Sequence, residues 1–328
     1  MKSGLLRGFV VALLTALALT GCEAPPTTAP VTLRIAVYPS QDYLPYFVMR
    51  DQGLDQKHGL DFTEVTTTGG AHGIEMVIEG KANVTLSSLV PVLAAAERGL
   101  IPEKLVPVAA NNFADPDHPS MGVLIANHLQ GWQDLAGQRI GTNSLEGLMP
   151  AAADVTLKQK TIAGYSFLVV KGEYRGLALA GGNIAAALMA EPYLTQSLLR
   201  GDGKLLAWTV GGPPFERLEI SSIVFSSELR QRNPAAVKAF LRAHLAAVAW
   251  INAHREEARQ VLAKRMNLSP DVARQIRLSR WPADARSDHA LNDQSQQILL
   301  QAGLIKRQTS TRALYDESLL TEVLKERR

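Results

Sequence analysis

Residues 33–88 read LRIAVYPSQDYLPYFVMRDQGLDQKHGLDFTEVTTTGGAHGIEMVIEGKANVTLSS, and this stretch decides the fold. Leu33-Arg34-Ile35-Ala36-Val37 is a strand pattern, and Pro39-Ser40-Gln41-Asp42 is a turn that ends in helix-capping residues. Residues 43–50 form an apolar helix that Gly53 stops, and Leu60-Asp61-Phe62-Thr63-Glu64-Val65 alternates as a second strand. Gly69-Gly70 then leads into a helix over 72–79, which Gly80 ends. Asn83-Val84-Thr85-Leu86 is a third strand running into Ser87-Ser88. Short strands separated by helices of about ten residues can pair only in parallel, so the stretch predicts an α/β sheet.

The rhythm continues outward. A helix over 89–98 is closed by Gly99, and 104–110 is another strand. The turn formers of 111–120 (Asn-Asn-Phe-Ala-Asp-Pro-Asp-His-Pro-Ser) break the pattern and mark a lobe boundary. A second α/β series follows, with strands at 122–126, 139–142, 166–170, 184–189, 205–210 and 219–225. Beyond Asn233-Pro234 the chain is helical to its end. Val237, Leu241, His244, Val248, Ile251, Ala258 and Leu262 recur at helical steps, which predicts one long helix with a buried face. A faint echo between 80–86 and 182–188 reflects two lobes built from the same βαβ grammar.

The first 22 residues, MKSGLLRGFVVALLTALALTGC, place Lys2 and Arg7 before an apolar run from Gly8 to Thr20. The run is short for a membrane span and suits an export signal. It ends in Leu19-Thr20-Gly21-Cys22, a lipobox pattern whose cysteine thiol takes the lipid. Glu23-Ala24-Pro25-Pro26-Thr27-Thr28-Ala29-Pro30 is an extended tether. Cleavage before Cys22 leaves 307 residues, anchored on the extracytoplasmic side of a membrane. Without Lys2 and Arg7 the chain has 32 basic against 31 acidic side chains, a net +1. That balance gives no support for a basic nucleic-acid-binding face. Cys22 is the one cysteine, so there is no internal disulfide and no cysteine-built metal cage.

The common enzyme motifs are absent: no HExxH, no G-x-S-x-G, no Walker A loop, and no complete GxGxxG. The seven histidines show no ligand spacing, so no metal or cofactor is expected. Several strand-to-helix loops are instead rich in small polar residues: Ser40-Gln41-Asp42-Tyr43, Thr68-Gly69-Gly70-Ala71-His72, Ser87-Ser88 and Thr142-Asn143-Ser144. In a parallel sheet such loops lie together at the carboxyl ends of the strands, where ligands bind. The first amides of each helix lack an intrahelical partner and attract anionic or strongly polar groups. Read one at a time, the same residues are ordinary N-caps. The candidate ligand-binding set is Ser40, Gln41, Asp42, Tyr43, Gly69, Gly70, His72, Ser87, Ser88, Asn112, Thr142, Asn143, Ser144, Glu146, Glu191 and Trp208. Tyr43 and Trp208 are the candidate apolar walls. Asp42, Glu146 and Glu191 stand at helix starts and weigh against a purely anionic ligand. No Arg or Lys falls in these loops, which suggests recognition by dipoles.

Gly53-Leu54-Asp55-Gln56-Lys57-His58-Gly59-Leu60-Asp61-Phe62 resembles a segment of the solute-binding proteins of ABC importers, in the nitrate, sulfonate, taurine and thiamine-pyrimidine-precursor group (NMT1/THI5-like). Gly69-Gly70, the segment 80–86, Asp134-Leu135-Ala136-Gly137-Gln138-Arg139-Ile140-Gly141 and Glu191-Pro192-Tyr193 follow in that family's order. The chain departs from the family at Asn83, Ala185 and Asp55, and 151–172 lacks the usual long helix. The resemblance implies a two-lobed periplasmic-binding-protein fold (α/β, type II-like). Each lobe would be a mainly parallel sheet with flanking helices, and two hinge crossovers would lie near 112–119 and near Phe225. The expected division is a signal peptide over 1–21, a tether over 22–30, lobe 1 over 31–112, lobe 2 over 113–225, and C-terminal helices over 226–328 that return to lobe 1. The implied function is a monomeric, lipid-anchored binding component that serves ABC permease and ATPase subunits. Its expected ligand is a small sulfonate-like oxyanion, or alternatively a pyrimidine-type heterocycle. The rival classes are a pyrimidine-precursor synthase-like enzyme and a ligand-sensing partner of a membrane receptor.

Overall fold

The computed structural model describes residues 29–327, so the expected signal peptide, Cys22 and most of the tether lie outside the described residues. Ten strands form two five-stranded sheets. In the first sheet β1 (Val31–Val37) pairs in parallel with β2 (Leu60–Thr66) and with β3 (Val84–Ser87). β4 (Leu105–Ala114) lies at the far edge. In the second sheet β5 (Met121–Ile125) runs antiparallel to its neighbours, and β6 (Arg139–Thr142) pairs in parallel with β7 (Ser166–Val169) and β8 (Ala186–Ala190). β9 (Lys204–Val210) forms the outer edge beside β5. β10 (Leu218–Ser226) returns to the first sheet and runs antiparallel between β3 and β4. The orders β2-β1-β3-β10-β4 and β7-β6-β8-β5-β9 are therefore the same topology twice. Four strands of each sheet run one way, and the fifth is supplied by the chain just after it has crossed over.

The second crossing thus spans residues 211–217, ahead of the expected position near Phe225, and the strand over 219–225 belongs to the first lobe. Its residues are buried on both faces, so its apolar run looks the same in either sheet. The two crossings run side by side, with the Ser120 amide donating to the Val210 carbonyl at 3.0 Å. Gly211, at φ 84°, lies at their contact, and a β-carbon there would sit 2.4 Å from Pro119 Cα and 2.8 Å from the Asp115 carbonyl oxygen. Only glycine fits that approach.

One face of the first sheet packs under helices Leu44–Asp51, Pro234–Ala253 and Ser318–Glu326, with Leu33, Ile35, Phe225, Phe240 and Leu241 at the centre. A second apolar cluster takes the opposite face of that sheet through Ile74, Leu89 and Val92 and continues into the second lobe at Ile140, Leu148 and Val155. The two lobes therefore meet through packed side chains. The expected long helix is divided at His254 into Pro234–Ala253 and Arg255–Met266. The His254 ring stacks on Trp250 and lies 2.9 Å from the Trp250 carbonyl, in competition with the helical ladder. Residues 148–159 are helical, where 151–172 was expected to lack the family's long helix. The C-terminal helices return to the first lobe, and they also touch the second, where Lys158 Nζ donates to the Ala302 carbonyl at 2.8 Å.

Candidate functional site

The carboxyl ends of β1, β3, β6 and β8 open toward one another across the gap between the lobes. A cavity of about 70 Å³ lies there. The first lobe lines it with Tyr38, Ser40, Asp42, Gly70, Ser87 and Ser88, and the second with Asn143, Ser144, Glu146, Gly147 and Met149. The lobes approach closely at its mouth: a β-carbon on Gly69 would be 2.9 Å from Asn143 Nδ2.

Three helices start at this cavity: Gly70–Ile78, Leu89–Glu97 and Leu148–Gln159. Their N-cap residues Gly69, Ser88 and Gly147 make no side-chain capping bond. Elsewhere Ser226, Asn233, Ser269 and Asp288 cap their helices with side-chain oxygens, whereas helices such as Gly172–Ala180, Tyr193–Arg200 and Arg255–Met266 also lack a side-chain cap. At the cavity no N-cap side chain takes a first-turn amide, and the dipoles of three helices converge on one small space. Beside them Ser87, 1% exposed, has a hydroxyl with no hydrogen-bond partner.

Asp42 forms the floor. Its Oδ1 accepts from Asn112 Nδ2 at 2.8 Å and its Oδ2 from Ser40 Oγ at 3.4 Å, while Asn111 Nδ2 donates to its backbone carbonyl at 2.9 Å. Ser221 Oγ, from β10, donates to Asn112 Oδ1 at 2.6 Å and completes the network. Burial pushes the Asp42 carboxyl above its usual range, and the bonds from Asn112 and Ser40 offset part of that shift. No cationic side chain pairs with it among the described residues.

Of the candidate residues, Ser40, Asp42, Tyr43, Gly69, Gly70, Ser87, Ser88, Asn143, Ser144 and Glu146 line the cavity. Tyr43 reaches it from below. It is 2% exposed, its hydroxyl donates to the Ala36 carbonyl at 2.8 Å, and burial pushes its pKa up to about 12. Asn112 stands behind Asp42. The other five lie elsewhere. Gln41 is turned to the C-terminal segment, where its Oε1 accepts from the Ser279 amide at 2.9 Å. His72 stays beside Thr68, 3.3 Å from its amide. Thr142 is fully buried at the end of β6. Glu191 accepts from Thr195 Oγ1 at 2.8 Å, from the Thr195 amide at 3.2 Å and from the Arg277 amide at 3.3 Å. It therefore ties a helix start to the C-terminal segment, and burial raises its pKa. Trp208 lies on β9 under the Arg277 guanidinium, 5.8 Å from ring centroid to Cζ. The wall residues Tyr38 and Met149 were outside the candidate set, as was the arginine behind them, Arg175. Among the described residues no group of three His, Cys, Asp or Glu side chains is placed to hold a metal ion.

Residues 26–267 match the sequence profile of the NMT1-like family. No curated protein matches the chain. Among solved structures, the ligand-binding component of an ABC-type import system from Staphylococcus aureus is 14% identical, with a TM-score of 0.75 over 89% of this chain and 99% of that one. The periplasmic aliphatic sulphonate-binding protein of Escherichia coli is 19% identical, with a TM-score of 0.63 over 87% and 92%. A desulfurization enzyme is 15% identical, with a TM-score of 0.63 over 91% and 100%. At these identities the likeness establishes the fold, two α/β lobes of the periplasmic-binding-protein type.

Proposed function

The chain belongs to the NMT1-like family, and from that premise we propose that it is the extracytoplasmic solute-binding component of an ABC importer, taking a small organic oxyanion such as a sulfonate. The observation that carries the reading is the convergence of three helix starts without side-chain caps, and the partnerless Ser87 hydroxyl, on a cavity walled by both lobes. Free amides and a hydroxyl donate hydrogen bonds, and three dipoles favour negative charge by roughly 0.3–1 kcal/mol each. A solute held by donors from both lobes binds the closed arrangement better than an open one and so shifts the hinge toward closure. The closed form then docks on the permease. The lipid on Cys22 and the tether to Pro30 would keep the monomer near that permease.

A second reading has its own observation. Asp42 lines the cavity without a cationic partner, and Glu146 stands at the rim, so both can accept N–H groups of a pyrimidine-type heterocycle. Binding without turnover is the reading for either ligand. The test is a melting-temperature screen of the purified protein against ethanesulfonate, nitrate and 4-aminopyrimidine, with mass spectrometry of the recovered solute. At a hundredfold excess over the dissociation constant the bound solute stabilises the fold by about 2.7 kcal/mol. An oxyanion that shifts the melt and is recovered unchanged supports the proposal. A shift with the pyrimidine alone replaces the ligand class, and chemical conversion of the solute refutes the binding-protein reading.

A further inference from the structure

Arg175 is the one Lys or Arg among the described residues that is buried, at 1% exposure. It sits on helix Gly172–Ala180 of the second lobe, among Gly172, Gly176 and Leu179 on the face packed inward. Its Nε donates to the Val170 carbonyl at 3.1 Å, its Nη1 donates to the Leu188 carbonyl and lies 3.4 Å from Met149 Sδ, and its Nη2 has no hydrogen-bond partner. No carboxylate lies within ion-pair distance of it among the described residues; the Tyr38 hydroxyl of the first lobe is the titratable group that faces it most closely, and Tyr193 and the exposed Glu173 act on it through space. The guanidinium therefore lies between Met149 and Tyr38, which both line the cavity, and Tyr38 reaches it from the first lobe. A buried cation is costly unless something of opposite charge accompanies it. The chain's own acids do not fill that role.

Resting on the reading of the cleft as a solute site, we infer that Arg175 is its charge-selecting residue: the free Nη2 receives the anionic end of the solute beside Met149, and Tyr38 of the first lobe closes over the pair. This replaces recognition by dipoles alone with a full countercharge. It assigns the solute a net negative group and places that group on the side of the second lobe. It also links selection to closure, because Tyr38 meets the guanidinium only when the lobes are together.

The test uses two probes of one shape and different charge, ethanesulfonate and its neutral counterpart ethyl methyl sulfone, titrated calorimetrically into the purified protein. Wild-type protein should prefer the sulfonate by roughly tenfold to a hundredfold, as expected for hydrogen bonds to a charged group. Arg175→Gln should lose that preference while changing the sulfone affinity less than threefold, and Arg175→Lys should keep part of it. Equal loss for both probes in Arg175→Gln would make the residue structural and overturn the inference, as would unchanged sulfonate binding. The wild-type preference needs no variant, so a variant that does not fold leaves the inference open to refutation. Wild-type protein that binds 4-aminopyrimidine and neither ethanesulfonate nor nitrate overturns charge selection and leaves the solute-binding reading standing. Binding of none of these probes overturns both.

Discussion

His244 gives a stability prediction whose size follows from its surroundings. The residue is 2% exposed on helix Pro234–Ala253, its ring stacks on Phe240 with centroids 6.5 Å apart, and its Nε2 has no hydrogen-bond partner. Burial alone lowers its pKa from 6.5 to about 3. The folded protein therefore refuses a proton that the unfolded chain accepts, so stability is lost as pH falls below 6.5. At about 1.36 kcal/mol per pH unit, lowering the pH from 7.5 to 5 removes about 2 kcal/mol through this one group. Asp42, Glu191 and Glu219 act in the opposite sense. Burial raises each of their pKa values, so each contributes stability at low pH that is lost as pH rises through the raised value. The net pH profile mixes these signs, and a comparison with His244→Phe isolates the histidine. Urea unfolding of both proteins at pH 7.5 and pH 5 should show the variant gaining about 2 kcal/mol on wild type over that interval. Parallel losses in the two proteins would refute the reasoning.

Three further outcomes follow from particular residues. Gly211→Ala puts a β-carbon 2.4 Å from Pro119 Cα at the paired crossings; it should cost about 1–3 kcal/mol in urea unfolding, and a neutral result would mean that the hinge backbone shifts freely. Asp42→Asn removes a negative charge from the floor of the cavity and should tighten ethanesulfonate binding about fivefold by calorimetry, from about 1 kcal/mol of relieved repulsion; weaker binding would contradict the oxyanion reading. Cys22→Ser should abolish incorporation of labelled fatty acid and release the protein from membranes, and unchanged membrane retention would contradict the anchor.

The strands and their alternation with helices were legible because parallel βαβ units need short apolar runs and glycine stops, and both are plain in 33–99. The assignment of β10 to the first sheet was not. A strand buried on both faces carries no mark of the sheet that buries it, and only pairing with Leu86 and Ala109 decides. For the cleft, the loop residues Ser40, Ser87 and Asn143 were legible because strand-to-helix loops of a parallel sheet share one edge. Gln41 and Glu191 lie away from the cavity for a common reason: a polar side chain at a helix start can serve a distant backbone amide as readily as a ligand. Here the amides of Ser279 and Arg277, far along the chain, took them. Arg175 lies outside the strand-to-helix loops, so the chemistry of those loops does not point to it. Its signal was present as a charged residue on the inward stripe Gly172, Arg175, Gly176, Leu179 of a helix, where a hydrophobic residue is expected.

The central claim is that both lobes hold one solute by helix starts and the Ser87 hydroxyl. The most direct measurement is a crystal structure of the protein with the oxyanion that gives the largest melting shift. Density for one solute is expected in the cleft, within hydrogen-bond distance of Ser87 Oγ and of first-turn amides of helices Gly70–Ile78, Leu89–Glu97 and Leu148–Gln159, with its anionic group turned to the second lobe beside Arg175 Nη2. Density outside the cleft, or contacts with one lobe only, would contradict it.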